Sequence, residues 1–449
     1  MEAVKGDPRL SDVIAALTYA LDITDGQPLG HAVRSCLIGM RIADELALEL
    51  EDRAALFYGL LLKDAGCSSN AAKVAALYGT SDLSAKGNVK HINHSNLGEA
   101  VRYIVRNTGG LRALLRVLRA GPAAAREMTA IRCERGAQIA HMLELPRGAA
   151  EAIYAVDEHW DGKGHPVALE GEEIPLLARI LCLAQTVEVF FTRDGLEAAL
   201  AMAGERSGTW FDPALVATLD SFGGDTEFWA GLKGEDIHRR VAELEPRELV
   251  APADEARLDR VAEAFARVID AKSPYTFHHS ERVADIAVSI ARELGFRDDE
   301  LRDMRRAGLL HDIGKLSISS LILDKPAALT DDEFEIVRRH PRLSGEILRR
   351  VGPFAALAEL AAAHHERIDG TGYPHGLGGA DLTQAMRALA VADVFEALTA
   401  ERPYRAAMPV AAALELMRRD AGTALCPDAL AALERALNRS DTEALPTAA

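Results

Sequence analysis

Residues 308–315 read Gly-Leu-Leu-His-Asp-Ile-Gly-Lys, and residues 60–66 carry a related stretch, Leu-Leu-Leu-Lys-Asp-Ala-Gly. A histidine stands 33 positions before the aspartate in both places, at His279 before Asp312 and at His31 before Asp64. Farther along, residues 369–374 (Asp-Gly-Thr-Gly-Tyr-Pro) match residues 161–166 (Asp-Gly-Lys-Gly-His-Pro). Motifs that recur in the same order indicate two copies of one structural unit. The sequence therefore predicts an internal repeat, with one copy in each half of the chain.

The two copies differ in length. The offset between matched positions falls from 248 at the histidine to 208 at the glycine-rich motif, so the first copy contains 40 additional residues. We place this insertion in residues 68–121, which are rich in Gly, Asn, Ser and Lys. A chain of 449 residues suits two domains. We predict residues 1–225 as the first domain, 226–257 as a linker and 258–449 as the second domain.

Composition and periodicity favour helices over strands. Aromatic residues make up only 5% of the chain, and runs of β-branched residues are few. Apolar residues at helical spacing run from 283 to 294 and stop at Gly295, and Thr330 with Glu333 forms a capping-box pattern. Further helical patterns cover residues 355–365, 384–400, 410–419 and 428–438. The predicted fold class is all-α, with two tandem helical bundles.

Charge and hydropathy argue against several functions. The formal net charge of −17 disfavours nucleic acid or an anionic membrane as a partner. The most apolar stretch, residues 176–191, is shorter than a membrane span and contains Arg179 and Glu188, which favours a buried helix. The N-terminal residues show no signal-peptide pattern, so a cytoplasmic location is expected. The five cysteines are scattered singly, and buried thiols are predicted rather than disulfides or a zinc ribbon.

Histidines are concentrated in the second copy. Seven of the fourteen lie between residues 278 and 375, most of them beside a carboxylate or another histidine. An isolated histidine is usually a core or surface residue, but adjacent pairs joined to Asp and Gly motifs favour a metal site. Phosphodiester hydrolysis needs a strong nucleophile and a counter-charge, and two divalent ions supply both. Because a carboxylate can bridge two ions and an imidazole cannot, Asp312 is the predicted bridging ligand.

The second copy resembles the HD-GYP family over residues 258–435. The motifs that carry this resemblance occur in the family's order and spacing: His279, residues 311–315, His340-Pro341, His364-His365-Glu366, residues 369–374, Asp393 and residues 401–404. The resemblance implies HD-type helical bundles and a phosphodiesterase that hydrolyses cyclic di-GMP to pGpG and/or GMP by a metal-bound hydroxide. The alternatives are an HD phosphohydrolase acting on another cyclic dinucleotide or nucleotide, or a cyclic di-GMP sensor without hydrolysis.

The resemblance also implies roles for individual residues. The metal ligands would be His279, His311, Asp312, His340, His364, His365 and Asp393, with Asp312 shared by two ions. Fe or Mn is expected first, and Zn, Mg or Ni are alternatives. Asp312 and Lys315 would act in catalysis, and the substrate would contact Lys315, Arg402, Gly372, Tyr373 and Pro374. Some family members carry a Glu four residues before the first ligand histidine and bind a third ion. Tyr275 stands there in this chain, so two ions are expected.

The Gly-Tyr-Pro loop allows two interpretations. Gly372 permits an unusual backbone conformation, and Tyr373 offers an aromatic face and a hydroxyl to a substrate. Alternatively, the loop only braces the bundle and positions the neighbouring histidines. The family resemblance implies partner contacts through this loop and through the N-terminal domain, either as a homodimer or with signalling proteins.

The first copy lacks most of the metal ligands. It keeps His31 and Asp64, but the remaining ligand positions hold Lys63, Val156, Asp157, Gln185 and either Arg132 or Cys133. Such a site cannot hold two ions. We expect Lys63 to pair with Asp64 and to supply the positive charge of a lost metal. The first copy is therefore predicted to be a non-catalytic regulatory or dimerisation domain, with a nucleotide sensor as the alternative.

Overall fold

The computed structural model describes residues 9–89, 91–92, 97–246, 252–401 and 405–440. Within these residues all regular structure is helical, and β-structure is limited to isolated bridges. The chain divides into two compact units, Met1–Arg257 and Leu258–Ala449. The all-α fold class is confirmed.

The first unit is built from thirteen α-helices within the described residues. They are Leu10–Thr24, His31–Glu45, Leu50–Leu62, Ala71–Tyr78, Asp82–Val89, Leu97–Asn107, Gly110–Met142, Arg147–Tyr154, Leu176–Asp194, Leu196–Glu205, Pro213–Ser221, Thr226–Gly231 and Ile237–Leu244. The longest of them is kinked at Gly121, whose φ is 68°. The apolar stretch at 176–191 lies in a largely buried helix, as predicted.

Within the described residues, helices make up much of both the insertion and the predicted linker. Residues 68–121 contribute short helices with their own small core, which includes Tyr103 and Ile104. Two of the helices above lie within the predicted linker and bury Trp229 and Val241 in the first unit. Residues 247–251 lie outside the described part of the chain.

The second unit contains ten α-helices among the residues that the structure describes. They are Glu255–Asp270, His279–Glu293, Asp298–Leu310, Ser320–Leu323, Asp331–Val337, His340–Arg350, Ala358–Ala362, Gln384–Thr399, Val410–Arg419 and Pro427–Ser440. Helix His279–Glu293 packs against both Asp298–Leu310 and Gln384–Thr399. Full burial of an aliphatic or phenylalanine side chain, such as Val283, Leu310 or Phe354, contributes about 1.5–3 kcal/mol.

Most predicted helix boundaries in the second unit are confirmed. Gly295 adopts a positive φ of 84° after helix His279–Glu293, and Thr330 and Glu333 form both hydrogen bonds of a capping box. The helix predicted over 355–365 differs. A 3-10 helix, Gly352–Leu357, precedes a short α-helix that ends at Ala362, and the two histidines that follow lie in a turn.

Two further predictions were that the most apolar stretch does not cross a membrane and that the cysteines are buried thiols. Among the helices of the described residues, none combines the length and hydropathy that a bilayer crossing requires. All five cysteines are buried free thiols, as predicted.

Candidate metal centre

Seven side chains of the second unit converge from different helices. They are His279, His311, Asp312, His340, His364, His365 and Asp393. Asp393 lies within a helix, whereas the other six stand at or immediately after helix ends. Helix packing therefore brings together donors that are separated by up to 114 positions in the sequence.

Asp312 lies at the centre of this cluster. Its Oδ2 lies 3.4 Å from Nε2 of His279 and 3.3 Å from Nε2 of His311. Its Oδ1 lies 3.2 Å from Nε2 of His340 and 3.6 Å from Nε2 of His364. The two carboxylate oxygens thus face two different pairs of imidazoles, which is the arrangement that a bridging carboxylate requires.

Asp393 and His365 lie beside the two pairs of imidazoles that face Asp312. Oδ1 of Asp393 lies 3.6 Å from Nε2 of His279 and 3.8 Å from Nε2 of His311. Its Oδ2 lies 3.8 Å from Nδ1 of His365. Donor atoms of His340, His364 and His365 lie within 4.8 Å of one another. Every one of the seven predicted ligands is therefore part of one cluster.

Backbone carbonyl groups orient three of the histidines. His311, His340 and His364 each place Nδ1 against the carbonyl oxygen three residues earlier, at 2.7, 2.6 and 2.6 Å. An imidazole that donates from Nδ1 keeps the lone pair of Nε2, and here Nε2 is directed into the cluster. The local turn thus selects the tautomer that can bind a cation.

Glu396, which was not among the predicted site residues, orients the fourth histidine. Nδ1 of His279 lies 2.5 Å from Oε2 of Glu396, whose Oε1 accepts from Nε of Arg282 at 2.8 Å. The repeat contains the signal that would have identified Glu396. Glu188 stands at the same offset of 208 in the first copy, where it contacts the corresponding histidine.

The donor set fits a divalent cation. Nε2 of His279, Nε2 of His311 and Oδ1 of Asp312 are buried and have no hydrogen-bond partner. Each such atom costs about 1–3 kcal/mol, and native structures retain few of them. Imidazole nitrogen and carboxylate oxygen are common ligands of Fe, Mn and Zn. Coordination would satisfy all three atoms at once.

Electrostatics holds most of the cluster in the protonation state that coordination requires. Burial lowers the pKa of His364 well below its usual range and lowers the pKa of His365 to about 3, so both are neutral. Burial raises the pKa of Asp312, but electrostatic interactions with His311 and Lys315 outweigh this effect and hold the pKa well below its usual range. Coordination needs neutral imidazoles and ionised carboxylates.

A cavity opens beside the cluster. It has a volume of ≈ 190 Å³, and its walls include His279, Asp312, Lys315, Tyr275 and Lys325. Nζ of Lys315 donates to Oδ2 of Asp312 at 2.5 Å, and its side chain remains 22% exposed. An ammonium group therefore lies between the central carboxylate and the open space.

The Gly-Tyr-Pro loop lies against the cluster. The ring of Tyr373 stands 4.9 Å from the ring of His365. Glu366 anchors the loop by accepting from the backbone N–H groups of His375 and Leu377 at 2.7 and 2.9 Å. A Cβ atom at Gly372 would come within 2.5 Å of the backbone of Glu366, so glycine is required there by close approach.

These contacts place the loop where it braces a candidate ligand. Its predicted contact with substrate, through Gly372, Tyr373 and Pro374, stays a prediction. Arg402, the other predicted substrate contact, lies outside the described residues.

In the first unit, positively charged side chains occupy positions that correspond to candidate metal ligands of the second unit. Nζ of Lys63 contacts the carboxylate of Asp64, as predicted, and lies 2.8 Å from Nε2 of His31. The guanidinium of Arg132 contacts Asp157. Two positive side chains thus occupy positions that correspond to His311 and His340.

Comparison with known families supports the repeat. The family model described as an HD domain matches residues 119–215 and 263–428, one segment in each unit. The chain belongs to the HD-domain family. The second matched segment contains all seven side chains of the cluster.

Individual relatives of this HD-domain protein cover most of the chain. The 3′3′-cGAMP-specific phosphodiesterase 3 of Vibrio cholerae is 45% identical over 436 residues, which is 96% of this chain and 95% of that protein. The crystal structure of a cyclic GMP-AMP-specific phosphodiesterase of V. cholerae is similar with a TM-score of 0.66 at 41% identity, covering 98% and 99% of the two chains.

A further relative matches over a shorter segment. The cyclic di-GMP phosphodiesterase response regulator RpfG of Xanthomonas campestris is 37% identical over 208 residues, or 45% of this chain and 54% of that protein. The resemblance to HD-GYP proteins is confirmed by these comparisons.

Proposed function

We propose that the second unit is a metal-dependent phosphodiesterase that opens a cyclic dinucleotide. The observation that carries this proposal is the central position of Asp312, whose two oxygens face two separate pairs of imidazoles. One ion would be held by His279, His311, Asp312 and Asp393, and the other by Asp312, His340, His364 and His365. Two bound ions activate water and neutralise the phosphoryl oxygens.

The protein's own residues contribute orientation and charge. The carbonyl groups behind three histidines, together with Glu396 behind His279, hold the Nε2 lone pairs in place. Lys315 is bound to Asp312 on one side and faces the cavity on the other, so its ammonium can contact a phosphate oxygen. We assign further substrate contacts to Arg402 and to Gly372, Tyr373 and Pro374.

The first candidate substrate is 3′3′-cGAMP. A relative with that stated specificity matches this chain along almost its whole length, at 45% identity. Cyclic di-GMP is the second candidate, supported by RpfG over about half of the chain. Hydrolysis of one phosphodiester bond consumes one water and gives a linear dinucleotide, which is pGpG from cyclic di-GMP. Hydrolysis of the second bond gives mononucleotides.

We propose that the first unit is non-catalytic. Lys63 and Arg132 stand at two ligand positions, and both are bound to carboxylates of the same site. A cation at these positions repels a second cation, so the positive charge of a metal is replaced by protein charge.

Metal analysis and turnover on one sample test the function. The protein is purified anaerobically, its metal content is measured, and hydrolysis of 3′3′-cGAMP and cyclic di-GMP is compared side by side. We expect close to two ions per chain, faster turnover of 3′3′-cGAMP, and loss of both metal and activity in Asp312→Ala. Full activity of Asp312→Ala would refute the assignment.

The adjacent histidine offers a matched control. His278 precedes His279 but its imidazole pairs with Glu281 at 2.5 Å and is 43% exposed. His278 has a positive φ of 57°, a conformation that Asn tolerates. His278→Asn is expected to keep metal and turnover, whereas His279→Ala loses both.

A further inference from the structure

The first unit contains a cavity at the position that corresponds, through the repeat, to the metal cluster of the second unit. Its volume is ≈ 360 Å³. Arg132, Asp157 and Gln185 line it, and these positions correspond to His340, His365 and Asp393 at the repeat offset of 208. The ligands have been lost from the first copy, but the cleft has been kept.

The walls of this cavity carry positive charge. Lys86, Arg132 and Lys163 line it together with two carboxylates, Asp25 and Asp157. Arg132 is bound to Asp157 and remains charged at every physiological pH. Nζ of Lys163 pairs with Asp161 at 2.7 Å, but the Lys163 side chain is 72% exposed, so an anionic ligand can compete for its ammonium group. In a chain with a net charge of −17, a cleft in which cations outnumber carboxylates favours an anionic ligand.

Two buried amides face the cavity with unpaired oxygens. Oε1 of Gln185 and Oδ1 of Asn70 have no hydrogen-bond partner, although the residues are only 5% and 7% exposed. Burying an acceptor without a donor is unfavourable, and buried polar groups of native proteins are normally paired. A ligand that presents N–H groups would satisfy both oxygens, and nucleobases present such groups on their edges.

An aromatic wall completes the cleft. The rings of His159 and Trp210 are stacked with centroids 4.2 Å apart, and both residues line the cavity. Flat apolar walls combined with a few oriented polar groups are typical of small-molecule sites, and the volume is within the usual range for them.

We infer that this cavity binds a nucleotide. The phosphate lies against Arg132, Lys86 and Lys163, and the base directs its N–H groups toward Gln185 and Asn70. The nucleotide is bound and released without a bond being broken, because Lys63 and Arg132 occupy positions where the second unit has candidate metal ligands. This site is additional to the phosphodiesterase site of the second unit.

Tryptophan fluorescence gives a readout confined to the first unit. All three tryptophans, Trp160, Trp210 and Trp229, lie in Met1–Arg257, and Trp210 lines the cavity. The metal-depleted full-length chain is titrated with 3′3′-cGAMP, cyclic di-GMP and GMP as probes. Guanosine lacks the phosphate, so its affinity shows how much the phosphate contributes to binding. Inorganic phosphate lacks the base and shows in the same way how much the base contributes. Because turnover is not measured, failure of the proposed phosphodiesterase activity leaves this experiment unaffected.

Two variants separate the contributions of the walls. Gln185→Leu removes the unpaired amide at similar size, and Lys163→Ala removes an exposed cation with no loss of packing. We expect a saturable fluorescence change with at least one nucleotide, with Kd raised about tenfold in Gln185→Leu and about threefold in Lys163→Ala. Guanosine and inorganic phosphate are each expected to bind at least about tenfold more weakly than that nucleotide.

Three results would overturn the inference. They are the absence of a saturable change with every nucleotide, equal affinity for inorganic phosphate or guanosine, and an unchanged Kd in both variants. Circular dichroism establishes that Gln185→Leu is folded, and if it is not, Lys163→Ala alone decides the outcome.

Discussion

Glu396 lies 2.5 Å from Nδ1 of His279, on the side of the imidazole opposite to the metal cluster. This contact crosses 117 positions of sequence and fixes both the tautomer and the ring orientation of the histidine. The same relationship recurs between Glu188 and His31 in the first unit, where the cluster has lost its ligands. The carboxylate–histidine pair is therefore a feature of the fold, and the second unit uses it to orient a ligand.

The first prediction concerns metal affinity. Glu396→Gln keeps the size of the side chain but removes its charge, so Nε2 of His279 becomes a weaker ligand. We expect metal affinity to fall by about 10–100-fold. Competition with a chelator measures the affinity, and excess metal should restore turnover. An unchanged affinity would show that the carboxylate does not support the ligand.

The second prediction compares the effects on turnover of two lysines that line the same cavity. Lys315 contacts Asp312, whereas Lys325 is bound to Glu333 at 2.6 Å. If Lys315 contacts phosphate oxygens as their charge develops, Lys315→Met should lower kcat about 100-fold or more. Lys325→Met, with an ammonium already paired elsewhere, should change kcat much less. Equal losses in the two variants would contradict a specific role for Lys315.

The candidate ligands could be selected from the sequence because the motifs that contain them resemble those of the HD-GYP family, and a motif can be recognised from neighbouring positions alone. Each motif occupies only a few neighbouring positions, and the internal repeat shows which positions of the two copies correspond. The structure brings all seven side chains together. Glu396 was missed because its function depends on a contact across the fold, although comparison with Glu188 would have revealed it.

The domain boundary was harder to predict. The linker was predicted from a Gly-Gly pair at 223–224, a charged segment and Pro246, yet Trp229 and Val241 bury apolar surface against the first unit. Burial depends on what the rest of the chain provides, and composition does not contain that information. For the same reason, the cleft lined by Gln185 and Arg132 was visible only once the helices were packed.

The third prediction follows from the protonation of His279. Burial lowers the pKa of His279, but the negative charges of Asp312 and Glu396 and the contact of Nδ1 with Glu396 outweigh it and raise the pKa to about 9 in the metal-free protein. The imidazole is therefore protonated at pH 7, and coordination through Nε2 requires that proton to leave. His365, with a pKa lowered to about 3 by burial, has none to lose.

We expect about one proton to be released from His279 when a divalent ion binds at pH 7. Calorimetric titration in buffers of different ionisation enthalpy counts the released protons. Glu396→Gln, which removes a carboxylate that raises this pKa but still binds metal in excess, should release fewer protons than the wild type. Identical proton counts in the two proteins would contradict the raised pKa.

The last prediction tests the replacement of a metal by Lys63. Lys63 and Asp64 are buried and in contact, and each is only 1% exposed. Lys63→Met leaves the carboxylate of Asp64 buried without its cation, which costs about 3–5 kcal/mol in the free energy of unfolding. Denaturant unfolding followed by tryptophan fluorescence reports on this unit alone, since all three tryptophans lie in it.

An exposed ion pair of the same unit provides the control for this measurement. Lys73 contacts Glu127 at 2.5 Å with 49% of its side chain exposed, so Lys73→Met should cost only about 0–1 kcal/mol. In the double variant Lys63→Met/Asp64→Leu both charges are gone, and most of the lost stability should return. If Lys63→Met were as stable as the wild type, the ammonium would not be compensating a buried carboxylate, and the first unit would need another explanation for its loss of ligands.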